Sequence, residues 1–222
     1  MTPKTTVKLS LGLKKPIKTW TLSEQLLCDH SSYFRAAFQG KFKESSAKKS
    51  SLDEEIFSEK AVGHLVDWMY TGKLECREPH DGEESISTHD TSWYSLYVLA
   101  DMLDISSLAN AAINQIHKCL DDGNWLPSTG DITYIYTKTG QNQNLRDIVV
   151  TELVDAFLQQ TFDRFVEESV AWTEVLATDL LFSIEVMEDI KRHTDMMECD
   201  KRVPCRFHLA HKPGRKRKRA SR

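Results

Sequence analysis

The chain has 222 residues, 40% of them hydrophobic, enough for one well-buried domain with a smaller appendage or for one elongated domain. No apolar run approaches the roughly 18 residues that a membrane span requires, and the N-terminal MTPKTTVKLSLGLKK lacks the continuous apolar core of a signal peptide, so the cytosol or nucleus is the expected compartment. The net charge of −4 hides an asymmetry: positions 201–222 carry ten Lys or Arg and no acid, leaving 19 basic against 33 acidic residues, or −14, for positions 1–200; such a body is a poor nucleic-acid surface, and polyanion contact is expected only through the tail.

Val7, Leu9, Leu11 and Leu13 alternate with Lys8, Ser10 and Gly12, the period of a half-buried strand. Gly12 to Pro16 supplies a turn, and Ile17 to Thr21 a return strand. A helix is then expected from Thr21, where Thr-Leu-Ser-Glu has the spacing of a capping box. Asp29-His30-Ser31-Ser32 interrupts the apolar pattern, and Ser31 or Ser32 can cap a second helix. Tyr33, Phe34, Ala37 and Phe38 share one side of it, Arg35 and Gln39 are left for solvent, and Gly40 stands where helices end.

Ser45 to Ser51 is a polar Ser/Lys run, read as a loop leading into a short strand near Ser51 and Leu52. Ser58 or Glu59 opens the next helix, on which Val62, Leu65, Val66 and Met69 fall on one face beside Trp68 and Tyr70. Gly72 ends it, and Lys73-Leu74 starts a short extended piece. Residues 75–92 are polar and acidic and read as a long surface loop; its His80 and His89 lie among acids with nothing to fix a metal geometry.

Trp93 to Leu103 and Leu108 to Leu120 are predicted to pair as helices joined at Asp104-Ile105-Ser106. Leu96, Leu99, Ala100 and Leu103 form the face of the first, widened by Tyr94, Tyr97 and Val98. Ala109, Ala112, Ile113, Ile116 and Leu120 form that of the second, whose small alanines permit close approach. From 124 to 200 the texture changes. Asp131 can cap a short helix through Tyr136, and Asn144 a longer one bearing Val149, Leu153, Val154 and Phe157. A last helix from about Ala171 to His193 carries Leu176, Leu180, Ile184, Met187 and Ile190 as the face expected to pack inward.

Three blocks now stand in order: LLCDHSSYFRAAFQGKFKES, HLVDWMYTGKL and LYVLADMLDISSLANAAI. Together they resemble the BTB/POZ domain in its fungal form, over about Thr5 to Leu120. The resemblance implies an α+β fold, a helical cluster capped by a small β-sheet, and a protein–protein interaction module rather than an enzyme. It also brings two departures. Transcription-factor members have an Asp where this chain has Thr6 and a His where it has Ser23, so their charged corepressor groove is not expected. The four residues before the first strand offer no segment for the strand-swapped dimer of those factors.

Phe42-Lys43-Glu44 is the first candidate contact. Members that recruit a cullin to build a ubiquitin ligase carry a hydrophobic-x-Glu triplet at this place, so the resemblance implies that Phe42 and Glu44 bind a partner; the bland alternative packs Phe42 under its own loop. The second is the tail, whose Arg215, Lys216, Arg217, Lys218 and Arg219 read as a nuclear localisation segment for an import receptor, against a merely solubilising run of charge. Arg219-Ala220-Ser221 also resembles a basic-directed kinase site. Cys199, Cys205, His208 and His211 invite a zinc site, but Cys-x5-Cys and His-x2-His spacing without an apolar anchor is unlike a zinc finger, so no metal is expected. The five cysteines, odd in number and scattered, read as free thiols in a reducing compartment. No Gly-rich phosphate loop, Gly-x-Ser-x-Gly or His-Glu-x-x-His is present, and Cys28 and His30, two apart on a helix, face different ways.

The expected organisation is a BTB/POZ domain at 5–122, an all-α extension at 123–197 and a disordered basic tail at 198–222, with no cofactor and no membrane contact. The expected function is a non-enzymatic adaptor that self-associates and recruits a partner, a cullin in the leading version. It acts in the nucleus, or in nucleus and cytoplasm. The alternative is a transcription or chromatin-associated regulator whose tail touches nucleic acid weakly.

Overall fold

The computed structural model describes residues 5–16, 18–76, 92–123, 127–140, 143–158, 173, 176–177 and 179–199. The chain divides into two compact units, Met1–Leu153 and Val154–Arg222. The acidic segment 77–91 and the basic segment 200–222, with the run Arg215 to Arg219 read as a localisation segment, lie outside the described residues.

The N-terminal unit begins with a three-stranded sheet. Strands β1 (Thr6–Leu11) and β2 (Lys18–Ser23) pair antiparallel, with Val7 opposite Leu22 and Leu9 opposite Trp20. Strand β3 (Lys49–Leu52) adds parallel to the other side of β1, giving the order β2-β1-β3. The alternation in β1 is real: Val7, Leu9 and Leu11 are buried, and the residues between them are not. Leu13, expected to continue that face, is exposed, because Gly12 at φ 104° turns the chain first.

Between β2 and β3 run α1 (Glu24–His30), α2 (Ser32–Gln39) and α3 (Lys43–Ala47). Helix α1 does not begin at Thr21. The ladder to β1 continues to Ser23, and the Glu24 amide still donates to the Thr5 carbonyl at 3.0 Å. Sheet pairing therefore keeps Thr21 extended, and Ser23 is the cap, its Oγ accepting from the Leu26 amide. The Ser/Lys run read as a loop contains α3, closed by Lys48 in the left-handed region at φ 50°. Lys48 Nζ reaches Glu24 Oε1 at 2.9 Å and the Phe38 carbonyl at 3.1 Å; these bonds hold a lysine where glycine is usual.

Helix α4 (Glu59–Thr71) is capped by Ser58 and ended by Gly72 at φ 70°. It buries Ala61, Val62, Leu65, Trp68 and Met69, while Tyr70, expected beside that face, is 59% exposed. Residues 73–76 form no paired strand.

Helix α5 (Ser92–Met102) is the centre of the unit: every residue from Ser92 to Ala100 is buried. A helix apolar on all sides has neighbours on all sides, here α4, α6 (Ser106–Gly123) and α7 (Thr129–Lys138). The α5–α6 corner is a Schellman turn in which Asp104, at φ 53°, takes the usual glycine place. Ile105 N–H donates to the Ala100 carbonyl and Asp104 N–H to that of Asp101, at 2.8 and 3.0 Å.

Helix α7 starts three residues earlier than predicted. Ser128 is the cap, and Asp131 sits at the third helical position, returning a bond to the Ser128 amide. Burial holds the Asp131 carboxyl above the usual range, opposed by the bonds from Ser128. Helix α8 (Gln143–Leu158) brings Arg146, 7% exposed, against the end of α7. Its guanidinium donates to the Thr139 hydroxyl, the Thr139 carbonyl and the Tyr136 carbonyl and lies 4.5 Å from the Tyr136 ring centroid. Arg146 thus satisfies helix-terminal carbonyls that no capping residue serves.

In the C-terminal unit, α9 (Leu180–Cys199) is capped by Asp179, which accepts from the Phe182 amide at 3.0 Å. Its inward face is not the predicted one. Phe182, Val186 and Asp189 are buried, whereas Leu176, Leu180, Ile184 and Met187 are 41, 73, 45 and 66% exposed. One polar tie reaches another helix, His193 Nε2 lying 3.2 Å from Asp155 on α8, while its Nδ1 lies 3.5 Å from Asp189 on α9 itself. Among the described residues no helix is long and apolar enough to cross a membrane.

Candidate functional site

The Phe42-Lys43-Glu44 triplet sits on a short, well-tied corner. Upstream, α2 buries Phe34, Ala37 and Phe38 and leaves Tyr33 43% exposed, so Tyr33 is not part of the inward face expected of it. Phe34 and Phe38 stack at 5.7 Å between centroids. Gly40 ends α2 in an extended conformation with its amide on the Ala36 carbonyl. A Cβ there would stand 2.2 Å from the Ala36 oxygen and 3.5 Å from the Phe42 ring, so the closeness of the backbone, not a positive φ, demands glycine.

The chain released by Gly40 presents Phe42 at the start of α3. Its ring is 62% exposed, so it does not pack under its own loop. Its carbonyl accepts from the Ser45 amide and that of Glu44 from the Lys48 amide, at 3.1 and 2.8 Å. The Glu44 carboxylate, half-exposed, has no hydrogen-bond or ion-pair partner among the described residues. An apolar ring in water with a free carboxylate two positions on, both on backbone held at either end, can bind a surface that offers an apolar pocket rimmed by a basic group.

The other candidates separate. Cys28 is buried with its Sγ directed at the Phe34 carbonyl, 3.7 Å away, while His30 stacks edge-on to Trp68; they do not form a catalytic pair. Burial, then the charge of Glu24, pushes the Cys28 thiol up. Burial pushes Cys119 up to about 12, the bond from Gln115 opposing it. Such thiols stay protonated and unreactive at neutral pH. Among the described residues no three His, Cys, Asp or Glu side chains are grouped to hold a metal ion; the Cys199, Cys205, His208 and His211 set extends outside them. Sequence reasoning missed Arg146 as a structural group, although its place three and four residues before Val149 and Val150 puts it on their inward face.

With the sheet, the helix pairs and the exposed corner in view, the class of domain is defined. Residues 21–120 match the family model for the BTB/POZ domain, so this part of the chain is a BTB/POZ domain, and the helices with their small three-stranded sheet are its fold. Domains of this class are typically non-enzymatic protein-interaction modules that commonly form homodimers. Among solved structures, the chain is similar to the BTB domain of zebrafish PATZ1 at 20% sequence identity and a TM-score of 0.36, covering 50% of this chain and 75% of that one. No curated protein matches the chain.

Proposed function

We propose that the chain is a nuclear adaptor of the fungal BTB type that self-associates through its BTB helices and recruits a cullin through Phe42 and Glu44. The observation that carries this reading is the 62% exposure of Phe42 beside a partnerless carboxylate. An isolated aromatic held in water by a rigid corner is an unpaired contact, and one buried aromatic anchor accounts for a large share of binding energy in many interfaces. The double variant Phe42→Ala, Glu44→Ala is expected to lose cullin co-purification by at least tenfold while its melting temperature stays within about 2 °C of the parent, since neither side chain is buried. Undiminished co-purification would remove the assignment.

The ten basic residues of 201–222 against a body of −14 support import-receptor binding through Arg215 to Arg219. Truncation after Pro213 is expected to shift a tagged protein from nucleus to cytoplasm; an unchanged distribution argues for a merely solubilising tail. The same asymmetry supports the second reading, a transcription or chromatin-associated regulator with weak tail contacts to nucleic acid. Binding of that kind falls steeply with salt, whereas an apolar contact through Phe42 does not.

A further inference from the structure

The predicted inward face of α9 is its outward face. Ten large hydrophobic side chains are exposed in the described structure, and five of them, Leu176, Leu180, Leu181, Ile184 and Met187, lie on or just before this one helix. Scattered exposed apolar residues need no explanation, but apolar side chains gathered on one face are often functional. The face is also shaped: Ser183, Ile184, Met187, Glu188 and Lys191 line a shallow groove along it.

Leu180, Ile184, Met187 and Lys191 follow one another at steps of four, three and four, the spacing of a helix–helix seam. The seam has a polarity. Asp179 stands at its N-terminal end, and Lys191 and Arg192 at its C-terminal end. Arg192 already pairs with Asp189 on its own helix, but Lys191 is exposed and has no ion-pair partner among the described residues.

We propose that this face pairs with the same face of a second copy of the chain, the two α9 helices antiparallel about a twofold axis near positions 185 and 186. In that arrangement Ile184 of one copy meets Met187 of the other. Lys191 lays its aliphatic stem on Leu180 of the second copy and carries its ammonium to the neighbouring Asp179. Each contact occurs twice, as an isologous interface requires. The parallel alternative sets Lys191 against Lys191 and leaves Asp179 beside Asp179, so like charges oppose it. Two such faces bury on the order of 1,000 Å² in total, the lower edge of specific interfaces; the association is therefore weak and concentration-dependent. It does not depend on Phe42, on the tail or on any dimer made by the BTB unit.

The test uses the full chain with Ile184 replaced by the photo-crosslinker p-benzoylphenylalanine, mixed equally from ¹⁴N- and ¹⁵N-labelled preparations and irradiated. Mixed-isotope peptides joining position 184 to the Met187 region of the other copy are expected. Their yield should fall at least tenfold when Met187→Asp is added and severalfold with Lys191→Glu, both exposed positions at which circular dichroism should show the helical content retained. Cross-links confined to one isotope, cross-links joining 184 to 184, or capture of a different segment of the chain would each overturn the proposal. So would an absence of cross-links from a chain that sediments as a monomer, which would leave the face to a different protein.

Discussion

Phe34→Ala is expected to destabilise the N-terminal unit by about 3–5 kcal/mol, the range for truncating a fully buried phenylalanine. Phe34 is 0% exposed. It stacks on Phe38 and lies edge-on to Tyr33 at 5.5 Å. Deletion of the ring removes the transfer energy of its carbons and leaves a cavity that its surroundings fill only in part, because the backbone on either side is fixed by the Ser31 and Gly40 caps. Against a domain stability of about 5–15 kcal/mol, that loss brings the unit close to its folding threshold. Urea denaturation followed by tryptophan fluorescence should show a lower midpoint with an unchanged slope. Tyr33→Ala, one residue away but 43% exposed, should cost about 1 kcal/mol or less. Equal losses for the two variants would show that the inward face of α2 has been assigned wrongly.

Ser31→Ala is expected to cost about 2–4 kcal/mol, a large effect for one oxygen. Ser31 is 1% exposed. Its hydroxyl accepts from the Phe34 amide at 3.0 Å and donates to the Leu103 carbonyl at 2.6 Å. Loss of the cap alone costs about 0.5–2 kcal/mol, and stranding a buried carbonyl adds about 1–3 kcal/mol. The hydroxyl therefore joins the α1–α2 corner to the α5–α6 corner, 72 residues apart in sequence. The adjacent Ser32, which bonds to Asp104 at the surface, should lose only about 0.5–1.5 kcal/mol on conversion to alanine, the net worth of one ordinary hydrogen bond. The contrast between neighbouring serines, read as a difference in urea midpoint, checks the account. Similar midpoints for Ser31→Ala and Ser32→Ala would show that the buried bond to Leu103 contributes little.

Most of the fold is legible along the chain because it is local. The alternation of Val7, Leu9 and Leu11, the helical face of Val62, Leu65 and Met69, and the break at Asp104 all follow from a side-chain period or a backbone preference. The errors cluster where partners distant in sequence compete with such preferences. Thr21 and Ser23 offer equivalent hydroxyls, and only the β1 partner shows that the strand persists to Ser23. Asp131 and Ser128 can both cap α7, and the reciprocal bond between them assigns the roles. Lys48 in a left-handed conformation has no sequence signal at all, since its support comes from Glu24 and the Phe38 carbonyl.

The candidate site divides in the same way. Sequence located Phe42 and Glu44 by their place after α2, but an aromatic beside an amphipathic helix is as readily core as contact, and only the tertiary arrangement leaves that ring in water. For α9 the apolar spacing was seen and its direction reversed. Leu180, Ile184 and Met187 repeat as regularly as Phe182 and Val186, and a periodic pattern fixes which residues share a face without fixing which way the face turns.

The sequence by itself determined most of the strands and helices, the helix ends at Gly40 and Gly72, and the separation of an acidic body from a basic tail, because these depend on neighbours within a few positions and on composition. The tertiary structure alone decided that Phe42 is exposed and Phe34 is not, that Ser31 bridges two corners, that Arg146 closes the end of α7, and that α9 turns its leucines outward. Burial and hydrogen-bond satisfaction are properties of groups brought together from distant positions, and no local period encodes the side from which a partner arrives.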